Sequence, residues 1–214
     1  MIKAVLFDFD GTLADTNALI VRTFTETFSA LLTDRTLTET EILDCIGPTL
    51  EQTGEKYFPG NSTQFVDAYR ELNAKYHDEM IKIYPGVKKM LEALQEKGLK
   101  LAIVSSKKRD FVVRGLKQLD LFHFFDYLIG GDEVKNPKPH SEPIDQALAH
   151  YGLLPENCLM VGDNAHDIEC AQAAGVKSVA VGWALRGADY LKQFHPDYIV
   201  HDAMEIVEIA DGNG

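Results

Sequence analysis

The sequence predicts an α/β protein: a doubly wound parallel sheet with helices on both faces, interrupted early by an inserted helical domain. Three observations carry that expectation. Short runs rich in Val, Ile and Leu recur along the chain, each followed by a turn signal and a segment of helical period. The runs are near-continuously apolar rather than alternating, as strands buried on both faces must be. The interval between the first run and the second is far longer than one crossover helix needs, and most of it has helical period.

In chain order, the strand runs are Ile2 to Phe7, Leu99 to Val104, Tyr127 to Ile129, Cys158 to Val161, Ser178 to Val181 and, more weakly, Tyr198 to Val200. Between the first two, Leu19, Ile20, Phe24, Phe28 and Leu31 form one apolar stripe, and Phe65, Tyr69, Leu72 and Tyr76 form another. These assign residues 16–82 to a helical insert and residues 1–15 and 83–214 to the α/β core. Within the core, Val87, Met90, Leu91 and Leu94 make a helix that starts after Pro85 and stops at Gly98. Ile168, Ala171 and Ala174 make another, stopped by Gly175. The closing Asp211-Gly212-Asn213-Gly214 reads as a frayed tail.

Composition narrows the function classes. The chain has 214 residues, 45% of them hydrophobic, enough for one substantial core and a smaller accessory domain. A formal charge of −12 argues against a broad basic surface for nucleic acid or anionic membrane. An anionic small substrate must then be met locally, by a metal ion and a few lysines. The N-terminus has no export-signal pattern, and no apolar stretch approaches the roughly 20 residues that span a bilayer, so a cytoplasmic protein is expected. Cys45, Cys158 and Cys170 lack metal-ligand spacing and read as reduced, packed thiols.

In a parallel sheet, ligands bind where the carboxyl ends of the strands open into loops. Asp8 and Asp10 follow the first strand, Ser105 the second, Asp132 the third and Asp163 the fourth. Several carboxylates converging on one sheet edge repel one another unless a cation lies among them, and oxygen ligands of this kind suit Mg²⁺ with a phosphate substrate. A carboxylate so screened can attack phosphorus to form an aspartyl-phosphate, while a second one two residues on handles the protons.

The segment DFDGTLADT, Asp8 to Thr16, resembles the first motif of the haloacid-dehalogenase superfamily in its phosphatase form. The resemblance implies a Rossmann-like core with Asp8 as nucleophile and Mg²⁺ ligand. Asp10 would be the general acid/base and lend its backbone carbonyl to the metal. Leu101 to Val104 followed by Ser105 resembles the second motif, with the hydroxyl on a phosphate oxygen. Lys138 resembles the third, a cation neutralising nucleophile and phosphoryl group, although Ser141 stands where relatives commonly have proline and the loop is expected to be less stiff. GDNAHD, Gly162 to Asp167, resembles the fourth: Asp163 as metal ligand and Asp167 orienting metal-bound water or Lys138. The insert matches the family's helical cap, which closes over the site and sorts substrates. IGPTL from Ile46 to Leu50, GDNAHD and the segment Trp183 to Gly187 further resemble bacterial pyrophosphatases of this superfamily. Pyrophosphate is therefore the expected substrate, with Arg186 or a basic residue at the cap-facing edge on its second phosphate. Phosphoglycolate or another small phosphomonoester is the alternative, and a β-phosphoglucomutase or a binding module without turnover stands further off. A monomer or weak dimer is expected.

Other residues carry plainer expectations. His77 reads as a solvated helix residue, His166 as a surface or supporting one, and Lys107, Lys108 and Arg109 as a solvated helix start, with an anion-holding role for Lys107 or Arg109 as the alternative. Phe122, Phe124 and Phe125 read as core, and Trp183 as cover for the sheet edge.

Overall fold

The computed structural model describes residues 1–212; Asn213 and Gly214 of the expected tail lie outside the described residues. Eight strands occur among them: β1 Ala4–Phe7, β2 Ala14–Asp15, β3 Lys82–Ile83, β4 Lys100–Val104, β5 Tyr127–Ile129, β6 Cys158–Gly162, β7 Lys177–Val181 and β8 Tyr198–Val200. Six form one sheet in the order β5-β4-β1-β6-β7-β8, with every neighbouring pair parallel. The chain divides into two compact units, Thr16–Ile81 and the remainder.

The unit Thr16–Ile81 is helical: α1 Asn17–Leu31, α2 Glu39–Leu43, α3 Leu50–Tyr57 and α4 Ser62–Met80. Its core joins Ile20, Phe24 and Phe28 of α1 to Phe65, Val66 and Tyr69 of α4, with the Phe24 and Tyr69 rings 4.6 Å apart. Thr38 and Thr49 start α2 and α3 with reciprocal capping boxes to Glu41 and Gln52. The second half of α4 departs from expectation. It buries Asn73 and His77, while Leu72 and Tyr76 are only partly covered. Phe65, Tyr69, Asn73 and His77 recur every four residues, so the buried stripe continues through polar side chains. His77 is fully buried rather than solvated, with Nδ1 2.7 Å from Asp78 Oδ1.

In the other unit the helices are α5 Val87–Glu96, α6 Arg109–Gln118, α7 Glu142–Tyr151, α8 Ala165–Ala174, α9 Ala188–Leu191 and α10 Ala203–Ala210. Every residue of β1 is buried. Val5 and Phe7 pack in one core with α5, α6 and α10, and Ala4 and Leu6 in a second with α7 and α8. That double burial is why the strand runs lack alternation. The three cysteines are free and buried. Phe124 is core and Phe125 packs against it, but Phe122 is 41% exposed, at the start of a 3₁₀ turn. Asp211 is not frayed: it follows α10 directly, and its carboxylate lies 2.7 Å from Lys97 Nζ.

Strands β2 and β3 form a separate antiparallel pair, Ala14 opposite Ile83 and Asp15 opposite Lys82. Lys82, expected in the insert, therefore pairs within the α/β unit. Two-residue strands carry no period that a sequence could display.

Candidate active site

β1 lies at the centre of the sheet, and the chain leaves it first toward β4 and later toward β6. Reversals of this kind open a crevice at the carboxyl ends of the strands. Asp8 follows β1 there, its backbone N–H donating 2.9 Å to Val161 of β6. Asp163 follows β6 directly, and Asp167 lies in the first turn of α8. All three carboxylates are buried and offer oxygens within 4.8 Å of one another.

Lys138 is the cation among them, 2% exposed. Its Nζ lies 2.5 Å from Asp167 Oδ1 and 3.2 Å from Asp8 Oδ1, and donates 3.1 Å to the Val104 carbonyl at the end of β4. Asp167 is engaged on its other oxygen too, which accepts from the Asn164 N–H at 3.0 Å as the cap of α8. Its two oxygens thus serve Lys138 and the helix start, which favours the lysine-orienting part of its expected role. Gly162 makes the approach possible, since a Cβ there would meet the Asp167 Cβ at 2.3 Å.

Three buried carboxylates against one ammonium leave excess negative charge. At about 4 Å and an effective dielectric near 20, one such repulsion is worth about 4 kcal/mol. Burial, opposed by Lys138 and reinforced by Asp167 and Asp10, pushes the Asp8 carboxyl up to about 6. Burial with Asp167 and Asp8 raises Asp163 well above the ordinary carboxylate range. Asp8 Oδ1 is buried and ion-paired with Lys138 yet completes no hydrogen bond. An all-oxygen donor set short of positive charge, with one unsatisfied buried oxygen, fits a hard divalent cation.

The remaining expected residues form a second cluster. The Asp10 carboxylate lies outside the three-carboxylate group and pairs with Lys107 Nζ at 2.9 Å, the two side chains 17% and 16% exposed. The Lys107 N–H in turn donates 3.2 Å to Ser105 Oγ. Lys107 is therefore not part of a solvated helix start, because its charge is drawn in to Asp10. Lys108 and Arg109 are exposed. Asp132 does not join the carboxylates either; it is exposed and accepts from the Arg109 N–H at 2.8 Å, at the start of α6. His166 is half-buried in the first turn of α8, with no part in the carboxylate cluster. Two contributors are Thr12, inside the first motif but given no role from the sequence, whose hydroxyl donates 3.4 Å to Asp163 Oδ1, and Lys107, outside the motifs. A lysine two residues beyond a strand-end serine was the available signal for the latter.

Three carboxylates and a buried lysine are thus gathered at the carboxyl edge of a parallel α/β sheet. Residues 5–181 match the haloacid dehalogenase-like hydrolase family, and the chain belongs to it. It is 40% identical over 208 residues to the pyrophosphatase PpaX of Halalkalibacterium halodurans, covering 97% of this chain and 96% of that protein. A haloacid dehalogenase-like family hydrolase of Streptococcus pneumoniae superposes with a TM-score of 0.82 at 29% identity, covering 97% of this chain and 98% of the other. A predicted phosphoglycolate phosphatase from Haemophilus somnus gives 0.83 at 25% identity, with 97% of each chain covered. No described helix is long and apolar enough to cross a membrane.

Proposed function

We propose that this hydrolase is Mg²⁺-dependent, works through an aspartyl-phosphate on Asp8, and takes inorganic pyrophosphate as its substrate. The observation that carries the chemistry is the buried Asp8 carboxylate held 3.2 Å from Lys138, beside Asp163. Asp8 and Asp163, with the Asp10 backbone carbonyl, would hold the Mg²⁺. When bound, the ion supplies Lewis-acid polarisation of the phosphoryl oxygens and lets the carboxylates remain ionised together.

The chain's own residues account for the rest. An Asp8 oxygen attacks phosphorus and the bond to the leaving oxygen breaks. Asp10 gives that oxygen a proton, then takes one from the water that hydrolyses the aspartyl-phosphate. Lys138 offsets charge on Asp8 and the transferring group, and Ser105 offers its hydroxyl to a phosphoryl oxygen. The helical unit acts as the substrate-sorting cap, a part supported by its insertion between β2 and β3.

Pyrophosphate is favoured by the near-full-length identity to a protein named as a pyrophosphatase. Phosphoglycolate is the second reading, favoured by the Haemophilus structure. Phosphate release from both, with Mg²⁺ and with a chelator, decides between them. Pyrophosphate is expected to lead in kcat/KM by about 100-fold or more, with activity lost on chelation. A lead for phosphoglycolate keeps the mechanism and overturns the substrate.

Gly11 offers a test of the metal site. Its φ is +74°, and a Cβ there would lie 2.1 Å from Asp163 Oδ2. Gly11→Ala is expected to displace Asp163 and raise the Mg²⁺ needed for half-maximal activity about tenfold or more. An unchanged Mg²⁺ titration would remove Asp163 from the ligand set.

A further inference from the structure

Trp183, the single tryptophan of the chain, follows β7 and is partly buried. Its indole N–H donates 3.2 Å to the backbone carbonyl of Thr12, and its ring packs 5.9 Å from that of Tyr84. The Tyr84 backbone N–H donates 3.2 Å to the next carbonyl of the same loop, that of Leu13. The loop after Asp8 is thus held from outside at two consecutive carbonyls. On its inner side it meets Asp163, with the Thr12 hydroxyl 3.4 Å from Oδ1 and Gly11 too close to Oδ2 to admit a methyl group. Covering a sheet edge requires only the ring of a tryptophan. The directed N–H bond to this particular carbonyl is a further feature.

We propose that Trp183 is a positioning residue for the metal site, acting through Thr12 to set where the Asp163 carboxylate stands. The inference rests on the Mg²⁺ reading given above. Two carboxylates reach a cation only at distances fixed to a few tenths of an ångström, and Mg²⁺ tolerates little distortion of its shell. Groups that orient metal ligands without touching the metal commonly change affinity by 10- to 100-fold when removed. The arrangement also makes Trp183 a reporter, because a change at Asp163 reaches the indole through one hydroxyl and one carbonyl.

Mg²⁺ binding is measured by calorimetry for wild type, Trp183→Phe, Thr12→Val and the double variant, and by tryptophan emission of the full chain for wild type and Thr12→Val, which keep the indole. Phenylalanine keeps an aromatic ring beside Tyr84 and removes the donor; valine keeps the Thr12 carbonyl and removes the hydroxyl. Each single variant is expected to weaken Mg²⁺ binding about tenfold, and the double variant by little more than one of them, as two parts of one path should. Wild-type emission is expected to change saturably with Mg²⁺, and to stop doing so in Asp163→Asn. Wild-type affinity in Trp183→Phe, or fully additive losses, overturns the proposal. Should Trp183→Phe fail to fold, the emission titration decides: no Mg²⁺-dependent change in wild type overturns it. A wild-type protein that binds no Mg²⁺ by calorimetry sinks the metal reading itself, a result distinct from either.

Discussion

Asparagine in place of Asp8 should lower kcat by at least about 10⁴-fold while making the metal-free protein harder to unfold near neutral pH. The first effect follows from the proposed role of Asp8 as nucleophile, whose attacking oxygen the substitution removes. The second follows from burial, which pushes the Asp8 carboxyl up to about 6 despite the neighbouring ammonium of Lys138. A group whose value is raised in the folded state stabilises the fold below its unfolded value, and that contribution is lost as pH rises through the folded one. Above pH 6 the ionised Asp8 therefore costs the metal-free fold on the order of 3 kcal/mol. The substituted amide carries no charge to bury. The advantage of Asp8→Asn in Tm is expected to grow as pH rises from about 4 to about 6 in chelator and to level off between there and pH 8, and Mg²⁺ should reverse it by stabilising the wild type. Thermal unfolding across that range, with phosphate release at each pH, tests both halves. A variant that turns over normally removes Asp8 as nucleophile, and a Tm difference independent of pH removes the electrostatic account.

Lys138→Met should be costly in both respects. Burial works against the Lys138 charge, but Asp167 and Asp8 outweigh it and hold the ammonium protonated beyond the ordinary lysine range. By the same linkage, the stability this lysine contributes is fully present at neutral pH and is lost only as pH rises through its raised value. Removing it leaves Asp8 and Asp167 buried without their cation. The expected loss is about 3–5 kcal/mol at pH 7, larger at pH 8 than at pH 6 as the carboxylates are forced to ionise. kcat should fall about 10²- to 10³-fold with the loss of charge beside the phosphoryl group. Lys138→Arg is not expected to restore it, since a planar fork cannot reproduce three contacts made by one compact ammonium. Urea unfolding at the two pH values and steady-state phosphate release are the measurements. Wild-type unfolding in Lys138→Met would mean that the buried bridge is not holding the site together.

Strands such as β1 were legible because burial on both faces writes an uninterrupted apolar run into the sequence. Their ends were legible because Asp8 and Asp163 interrupt such runs abruptly. Partnership was less so. Position alone made Asp132 equivalent to Asp163, yet its carboxylate caps the backbone of Arg109. Lys107 stood in a run of three basic residues, and only its place two residues beyond the strand-end Ser105 distinguishes it as the one that turns inward to Asp10. The face of α4 was misjudged for a related reason. Hydrophobicity marks a stripe only while its residues are apolar, and Asn73 and His77 continue the buried face with side chains that read as solvent-facing.

The small β2–β3 ladder has a consequence for how such a protein can change. Its last pair, Asp15 opposite Lys82, is where the chain departs for the helical unit and where it returns. Departure and return face each other on one rung, so a two-residue hairpin turn could join them directly. The whole excursion can be shortened, lengthened or traded for a different one without rethreading a single strand of the large sheet. On the proposed substrate-sorting role of the helical unit, selection for a new substrate is thereby freed from selection for a stable frame, and the two can be altered one at a time.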